Sequence, residues 1–109
     1  MSDALPLEFE FITFMAPVQA EGTVAGRLFY FRARTQTWTF TIAELPNGDP
    51  VMLGPEDVST GAAWYRTGEV LGGRFAASYL PLDEASSIIH DCARDYLSER
   101  HDRERAKTS

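Results

Sequence analysis

The side chains that could do chemistry in this chain are few, and their spacing is poor for it. His90 and Cys92 come nearest to a metal-ligand or nucleophilic pair, but they stand two residues apart. On a helix that separation makes the two side chains diverge, so they can neither hold one ion nor pass one proton. Cys92 falls on an apolar stripe and reads as a small buried hydrophobe. The other histidine, His101, lies in a charged C-terminal run. No Gly-x-Ser-x-Gly elbow exists, and Ser86 and Ser87 fall in the first turns of a helix. Leu71-Gly72-Gly73-Arg74 has neither the spacing nor the lysine of a phosphate loop and reads as a turn. Glu44, Asp49, Glu56 and Asp57 border a long connection, and nothing in their spacing marks any of them as an acid or base. The expectation is no catalytic residue, no metal and no cofactor.

What remains is chemistry of recognition. Tyr30, Arg32 and Arg34 share one parity of a strand, and Trp64, Tyr65 and Arg66 sit together in a second strand-like stretch. Tyr, Trp and Arg are the types enriched where proteins bind one another. These six residues are the expected interface of a non-enzymatic interaction or homodimerisation domain. The alternative is a small-ligand pocket between the sheet and residues 44–62, lined by Trp38, Trp64 and Met52, with Arg66 or Arg74 holding an anionic group.

The elements that would position these residues follow from periodicity. Phe29, Phe31 and Ala33 alternate with Tyr30, Arg32 and Arg34, and Trp38, Phe40 and Ile42 alternate with Thr37, Thr39 and Thr41. A two-residue link, Thr35-Gln36, would pair Ala33 with Trp38, Phe31 with Phe40 and Phe29 with Ile42, all on the apolar parity. Residues 8–15 read as a first strand, and Pro17 to Gly22 as a turn between breakers. That first strand is expected to pair with the stretch 23–34 and to set Glu8 and Glu10 on the same face as Arg32 and Arg34. Residues 44–62 form the long connection, with one helical turn at Gly54–Val58. Residues 63–70 and 74–80 read as a second hairpin, whose Gly68, Ala76 and Ala77 leave room for an element packed above.

From Leu82 the period becomes helical. Ala85, Ile88, Ile89, Cys92, Ala93, Tyr96 and Leu97 make one stripe, with Asp83 as N-cap. The run from Glu99 lacks apolar anchors and is expected to fray. The fold expected is α+β: an antiparallel meander of four to five strands with one long C-terminal helix packed on one face. Residues 1–100 form the domain and 101–109 a charged, disordered tail.

Size and charge bound the function classes. The chain has 109 residues and 44% hydrophobic content, enough for one core. Its formal net charge of −6 argues against nucleic acid and against an anionic membrane surface as partner. The first residues lack a basic region and an apolar run, and no stretch approaches the ~20 apolar residues of a membrane span. With a single cysteine there is no internal disulfide. The location expected from these features is the cytoplasm. The preference for Arg over Lys, which occurs only at Lys107, points to a GC-rich, bacterial source.

Overall fold

The computed structural model describes residues 5–14, 17–70, 77 and 80–108. Five strands form one sheet in the order β1-β2-β3-β4-β5. They are β1 (Leu7–Phe14), β2 (Val18–Val24), β3 (Arg27–Arg34), β4 (Thr37–Ala43) and β5 (Ala63–Glu69), and every neighbouring pair is antiparallel. A 3₁₀ turn at Pro55–Asp57 interrupts the long loop, and α1 (Leu82–Thr108) follows β5. This is the α+β meander with a C-terminal helix that the periodicity predicts.

The β3–β4 register matches expectation pair for pair: Ala33 opposite Trp38, Phe31 opposite Phe40, Phe29 opposite Ile42. The N-terminal half differs from expectation. Residues 18–22, expected within a turn, form β2 together with Thr23 and Val24, and the chain reverses at Ala25-Gly26, inside the stretch 23–34 expected as one strand. Both turn residues have positive φ, 51° and 80°, the signature of the two-residue turn whose twist suits a hairpin. β1 therefore pairs with β2 rather than with β3. Its one irregularity is a bulge between Phe11 and Thr13, which accounts for the parity break at Ile12.

β2 is hidden in the sequence because the middle two of its inward residues, Ala20 and Gly22 between Val18 and Val24, are small. Ala20 lies between Phe11 and Phe31 across the sheet, and Gly22 lies between Phe9 and Phe29. The Phe9 and Phe29 rings reach over Gly22 and meet edge-on at 6.3 Å. A Cβ on Gly22 would sit 1.9 Å from the Glu8 carbonyl oxygen, so no larger residue fits. Large and small residues alternate across the rows, and the rings fill what the small residues leave open.

The core lies between this face and α1. Phe29, Phe31, Phe40 and Ile42 are fully buried with Ala85, Ile89, Ala93 and Tyr96 from the helix. Phe29 stacks on Phe40 at 4.8 Å, and Trp64 meets Tyr96 edge-on at 5.4 Å. The helix crosses the sheet from β1, where His90 touches Phe9, to β5, where Tyr96 touches Trp64. The expected stripe is thus the packed face. Asp83 Oδ1 accepts from the Glu84 amide within the first turn, and the Ala85 amide donates to the Pro81 carbonyl. Beyond Ser98 the helical backbone continues through the charged run to Thr108, so residue 100 marks no break in secondary structure.

The space over Gly68 is taken by the indole of Trp38 and not by the helix. A Cβ there would lie 2.6 Å from the ring. Of the expected second hairpin, residues 74–76, 78 and 79 lie outside the described residues. Ala77 and Leu80 are buried, and the Ala77 and Val70 amides donate to the carbonyls of Thr35 and Gln36.

Candidate functional site

With α1 on one side, the opposite side of the sheet is left with polar parity. Its rows follow from the register. Glu10, Glu21, Tyr30, Thr41 and Tyr65 form one, and Gln19, Arg32, Thr39 and Thr67 form the next. Glu8 and Thr23 lie beyond the first row, and Arg34, Thr37 and Glu69 beyond the second. The long loop covers only a corner of this face. Gly48 packs over Ala43, which is buried together with Ala63.

Three of the expected interface residues share this open face with Tyr65. Tyr30 and Tyr65 flank Thr41 from either side and leave it only 3% exposed. The Tyr30 hydroxyl donates to Gln19 Oε1, Gln19 Nε2 donates to Thr13 Oγ1 (3.3 Å), and Thr13 donates to the Pro17 carbonyl (2.6 Å). This relay ties β3 to β2 and β1 across the centre of the face. Burial raises the Tyr30 phenol above its ordinary pKa; Arg32 opposes that rise and Glu21 adds to it.

Trp64 and Arg66 do not join them. They project from the other side of β5, where Trp64 is buried at 6% exposure. Its Nε1 donates to Glu99 of α1 at 3.3 Å. Arg66 stacks over the Trp64 ring at 4.3 Å and pairs with the same carboxylate. The reason is parity: successive strand residues face opposite ways, so Tyr65 cannot share a face with Trp64 and Arg66. These two residues clamp the helix end to the sheet.

The expected pocket set also separates. Trp38 lies on the helix side, stacked with Phe31 at 6.2 Å, at the end of β4 remote from the 44–62 loop. Met52 is 78% exposed on that loop, and Arg74 lies outside the described residues. The sheet and the loop do enclose a groove, with different walls. It measures about 520 Å³, and Glu8, Glu10, Glu21, Leu28, Tyr30, Asp49 and Val51 are among its lining residues. Asp49 Oδ1 accepts from the Val51 amide (3.0 Å), which fixes the turn at the loop tip.

Charge is distributed unevenly over the open face. Glu8, Glu10 and Glu21 occupy the β1–β2 side near the groove; Arg32 and Arg34 occupy β3 toward the Thr35-Gln36 turn, beside Thr37 and Thr39. The anticipated cross-strand pairing of Glu8 and Glu10 with these arginines is absent because β2 intervenes. Among the described residues neither Arg32 nor Arg34 makes an ion pair, and the Arg32 Nε is buried without a hydrogen-bond partner. Next to the acids lies exposed apolar surface. Leu28 (51%) shares the groove with Val51 (55%) and adjoins Leu45 in the neighbouring hollow.

Cys92 and His90 diverge as their spacing requires. Cys92 is buried, its thiol pushed up to about 12, first by burial and then by Asp95. His90 is exposed, and its Nδ1 bonds the Ser86 carbonyl at 2.8 Å. Among the described residues no three His, Cys, Asp or Glu side chains converge on a common point for a metal ion, and no helix is long and apolar enough to cross a membrane. The groove acids were the feature that sequence reasoning missed. The alternation of Glu8 and Glu10 was visible, but Glu21 was hidden in the segment taken for a turn. No family model, curated protein or solved structure matches the chain.

Proposed function

We infer that this protein is a non-enzymatic interaction domain, cytoplasmic, whose docking surface is the open face of the sheet. The observation that carries the reading is the company kept by Leu28 and Val51. Both are about half exposed in a groove lined by Glu8, Glu10, Glu21 and Asp49, on a face that the helix leaves uncovered. Exposed apolar side chains rimmed by charge are what a partner desolvates on binding. Tyr30 adds a large, already hydrogen-bonded side chain that loses little freedom on binding.

The test is the paired change Tyr30→Ala with Arg32→Glu. In lysate, the wild-type chain should elute above its monomer size and the double variant at monomer size, with unchanged circular dichroism. Arg94→Glu, on the solvent side of α1, should behave as wild type. Elution of the wild-type chain as a bare monomer in lysate overturns the reading.

The groove supports a second reading, a small-ligand site. Its four acidic lining residues select a cationic ligand with an apolar body to lie on Leu28 and Val51. A thermal-shift screen of amines against carboxylic acids separates the two classes. Stabilisation by amines alone favours this reading, and none by either class removes it.

A further inference from the structure

The charges of the open face are arranged so that the face complements itself. The acids Glu8, Glu10 and Glu21 stand on β1 and β2, and Arg32 and Arg34 stand on β3, one and two rows further along. Between the two groups lie Tyr30 and Gln19, neutral and hydrogen-bonded to each other. We propose that the occupant of the open face is a second copy of this chain. The two sheets pack face to face about a two-fold axis crossing Tyr30 and Gln19, so that Arg32 and Arg34 of each copy enter the acidic groove of the other. This rests on reading the face as a docking surface and names what docks there.

Three observations favour a second copy. First, a two-fold contact applies every pairing twice, so a face whose β1–β2 acids stand apart from its β3 arginines gains two complementary contacts; Glu69 stands two strands away from Arg34, on β5. Within one chain Glu21 is only a diagonal neighbour of Arg32, and they make no ion pair. Second, the axis passes through groups already bonded to each other: the Tyr30 hydroxyl donates to Gln19 Oε1 and one Gln19 amide hydrogen goes to Thr13, which leaves the second Gln19 amide hydrogen as the donor at the centre to be met across the contact. Third, the competing symmetric arrangement is disfavoured. Pairing β1 with its own copy along the sheet edge would crowd Glu8 and Glu10 against the same acids of the partner, with Glu21 opposite Glu10 already.

The size of the face sets the strength. Five strands about 4.8 Å apart and seven residues long give a face of roughly 24 Å by 23 Å, at the lower end of specific interfaces. The dimer is therefore concentration-dependent, in keeping with a face that stays polar enough to remain exposed in the monomer.

The experiment uses the purified full chain in sedimentation velocity from about 1 μM to 1 mM, a span that covers weak dimers. The wild type should shift from monomer to dimer across that range. Arg32→Glu with Arg34→Glu should stay monomeric, as should Glu10→Arg with Glu21→Arg. An equimolar mixture of the two variants should associate again, within about tenfold of wild type. A monomeric wild type at the top concentration overturns the proposal, and so does a mixture that associates no better than its components. A second measurement needs no variant. Phenylglyoxal labelling of the wild type should lose Arg32 and Arg34 reactivity as concentration rises, while Arg94 stays reactive. Protection of Arg32 and Arg34 only in lysate overturns the second copy but keeps the docking face. Absence of protection in both settings overturns the two together.

Discussion

Along β3 the residues Phe29, Phe31 and Ala33 alternate with Leu28, Tyr30, Arg32 and Arg34, and the two sets meet different fates. The first set is sealed under α1 at 1% exposure or less. The second faces outward with its guanidinium groups unpaired among the described residues. Backbone, strand and register are common to both, so the contrast isolates what the side chains do. The helix side is held by burial, where each Phe contributes about 1.5–3 kcal/mol. The open side contributes little to holding the monomer together. Its charges and its half-exposed leucine and valine are the features on which the proposed docking surface rests.

The largest effect expected from this contrast comes from truncating one strand on each side. Phe31→Ala should destabilise the fold by about 3–5 kcal/mol, because a full ring leaves a site that cannot collapse. Arg32→Ala, its neighbour, should change stability by less than about 0.5 kcal/mol, as surface substitutions do. Chemical denaturation of the two variants measures the difference directly. Equal losses at the two positions would mean that the open face is part of the monomer's own support, and the contrast would fail.

Next in size is Gly68→Val. Gly68 is the floor on which the Trp38 indole lies, and an added Cβ collides with the ring at 2.6 Å. Displacing the ring should cost about 1–3 kcal/mol, the range for overfilled cores. Trp38 is one of two tryptophans, and its emission should shift to the red as it loses its seat against Phe31. An unchanged spectrum and midpoint would show that the ring has another place to go. The same substitution should leave the proposed self-association intact in whatever fraction folds, since Trp38 is on the helix side.

The helix side has its own polar exception, and pH reads it. The Tyr96 hydroxyl donates to Glu44 Oε1 at 2.5 Å beneath the end of the sheet. Burial, then that bond, then the carboxylate's charge push the phenol from 10.0 up to about 12. Cys92 is raised from 9.0 to about 12, chiefly by burial. Between those limits the folded chain keeps protons that the unfolded chain has released. The unfolded state therefore binds fewer protons, and stability falls as pH rises. The stabilisation is whole below pH 9 for Cys92 and below pH 10 for Tyr96, and it is lost as pH climbs through about 12. Tyr96→Phe should cost about 1–2 kcal/mol at neutral pH through the lost hydrogen bond. It should also flatten the alkaline decline. Denaturation at pH 7 and pH 11 checks both, and an equally steep decline in the variant would remove Tyr96 as its source.

The contrast also explains what could be read from residue order alone. The β3–β4 hairpin was legible because both partners put large apolar residues on one parity, so pattern and turn length agreed. The stripe of α1 was legible for the same reason at a different period. β2 was not, because Ala20 and Gly22 are small to admit rings from β1 and β3, and that relation exists only across strands. Missing β2 misplaced β1, and with it Glu21 and the groove. Of the expected interface residues, Tyr30, Arg32, Arg34 and Tyr65 do share a face; Trp64 and Arg66 do not, because neighbouring residues in a strand must part. Aromatic and arginine content names the kinds of residue a surface uses, while register decides which of them stand together.

The smallest expected effect concerns the turn that sets both faces at once. Ala25 and Gly26 join β2 to β3, and Val24 pairs with Arg27 directly across them. Ala25 has φ 51°, a left-handed conformation that disfavours any residue with a Cβ by about 1 kcal/mol. Asparagine tolerates that region better, and Asn-Gly is the pair this turn type prefers. Its backbone amide remains to donate to the Pro6 carbonyl, as Ala25 does at 2.7 Å. Ala25→Asn should therefore stabilise the chain by about 0.5–1 kcal/mol, a rise in midpoint of a few degrees for a domain of this size. Because the turn feeds both parities equally, the gain should come with no change in the dissociation constant of the proposed dimer. A rise in stability together with altered association would mean that the turn positions the open face separately from the core. The two sides of the sheet would then be coupled through strand geometry and not merely joined back to back.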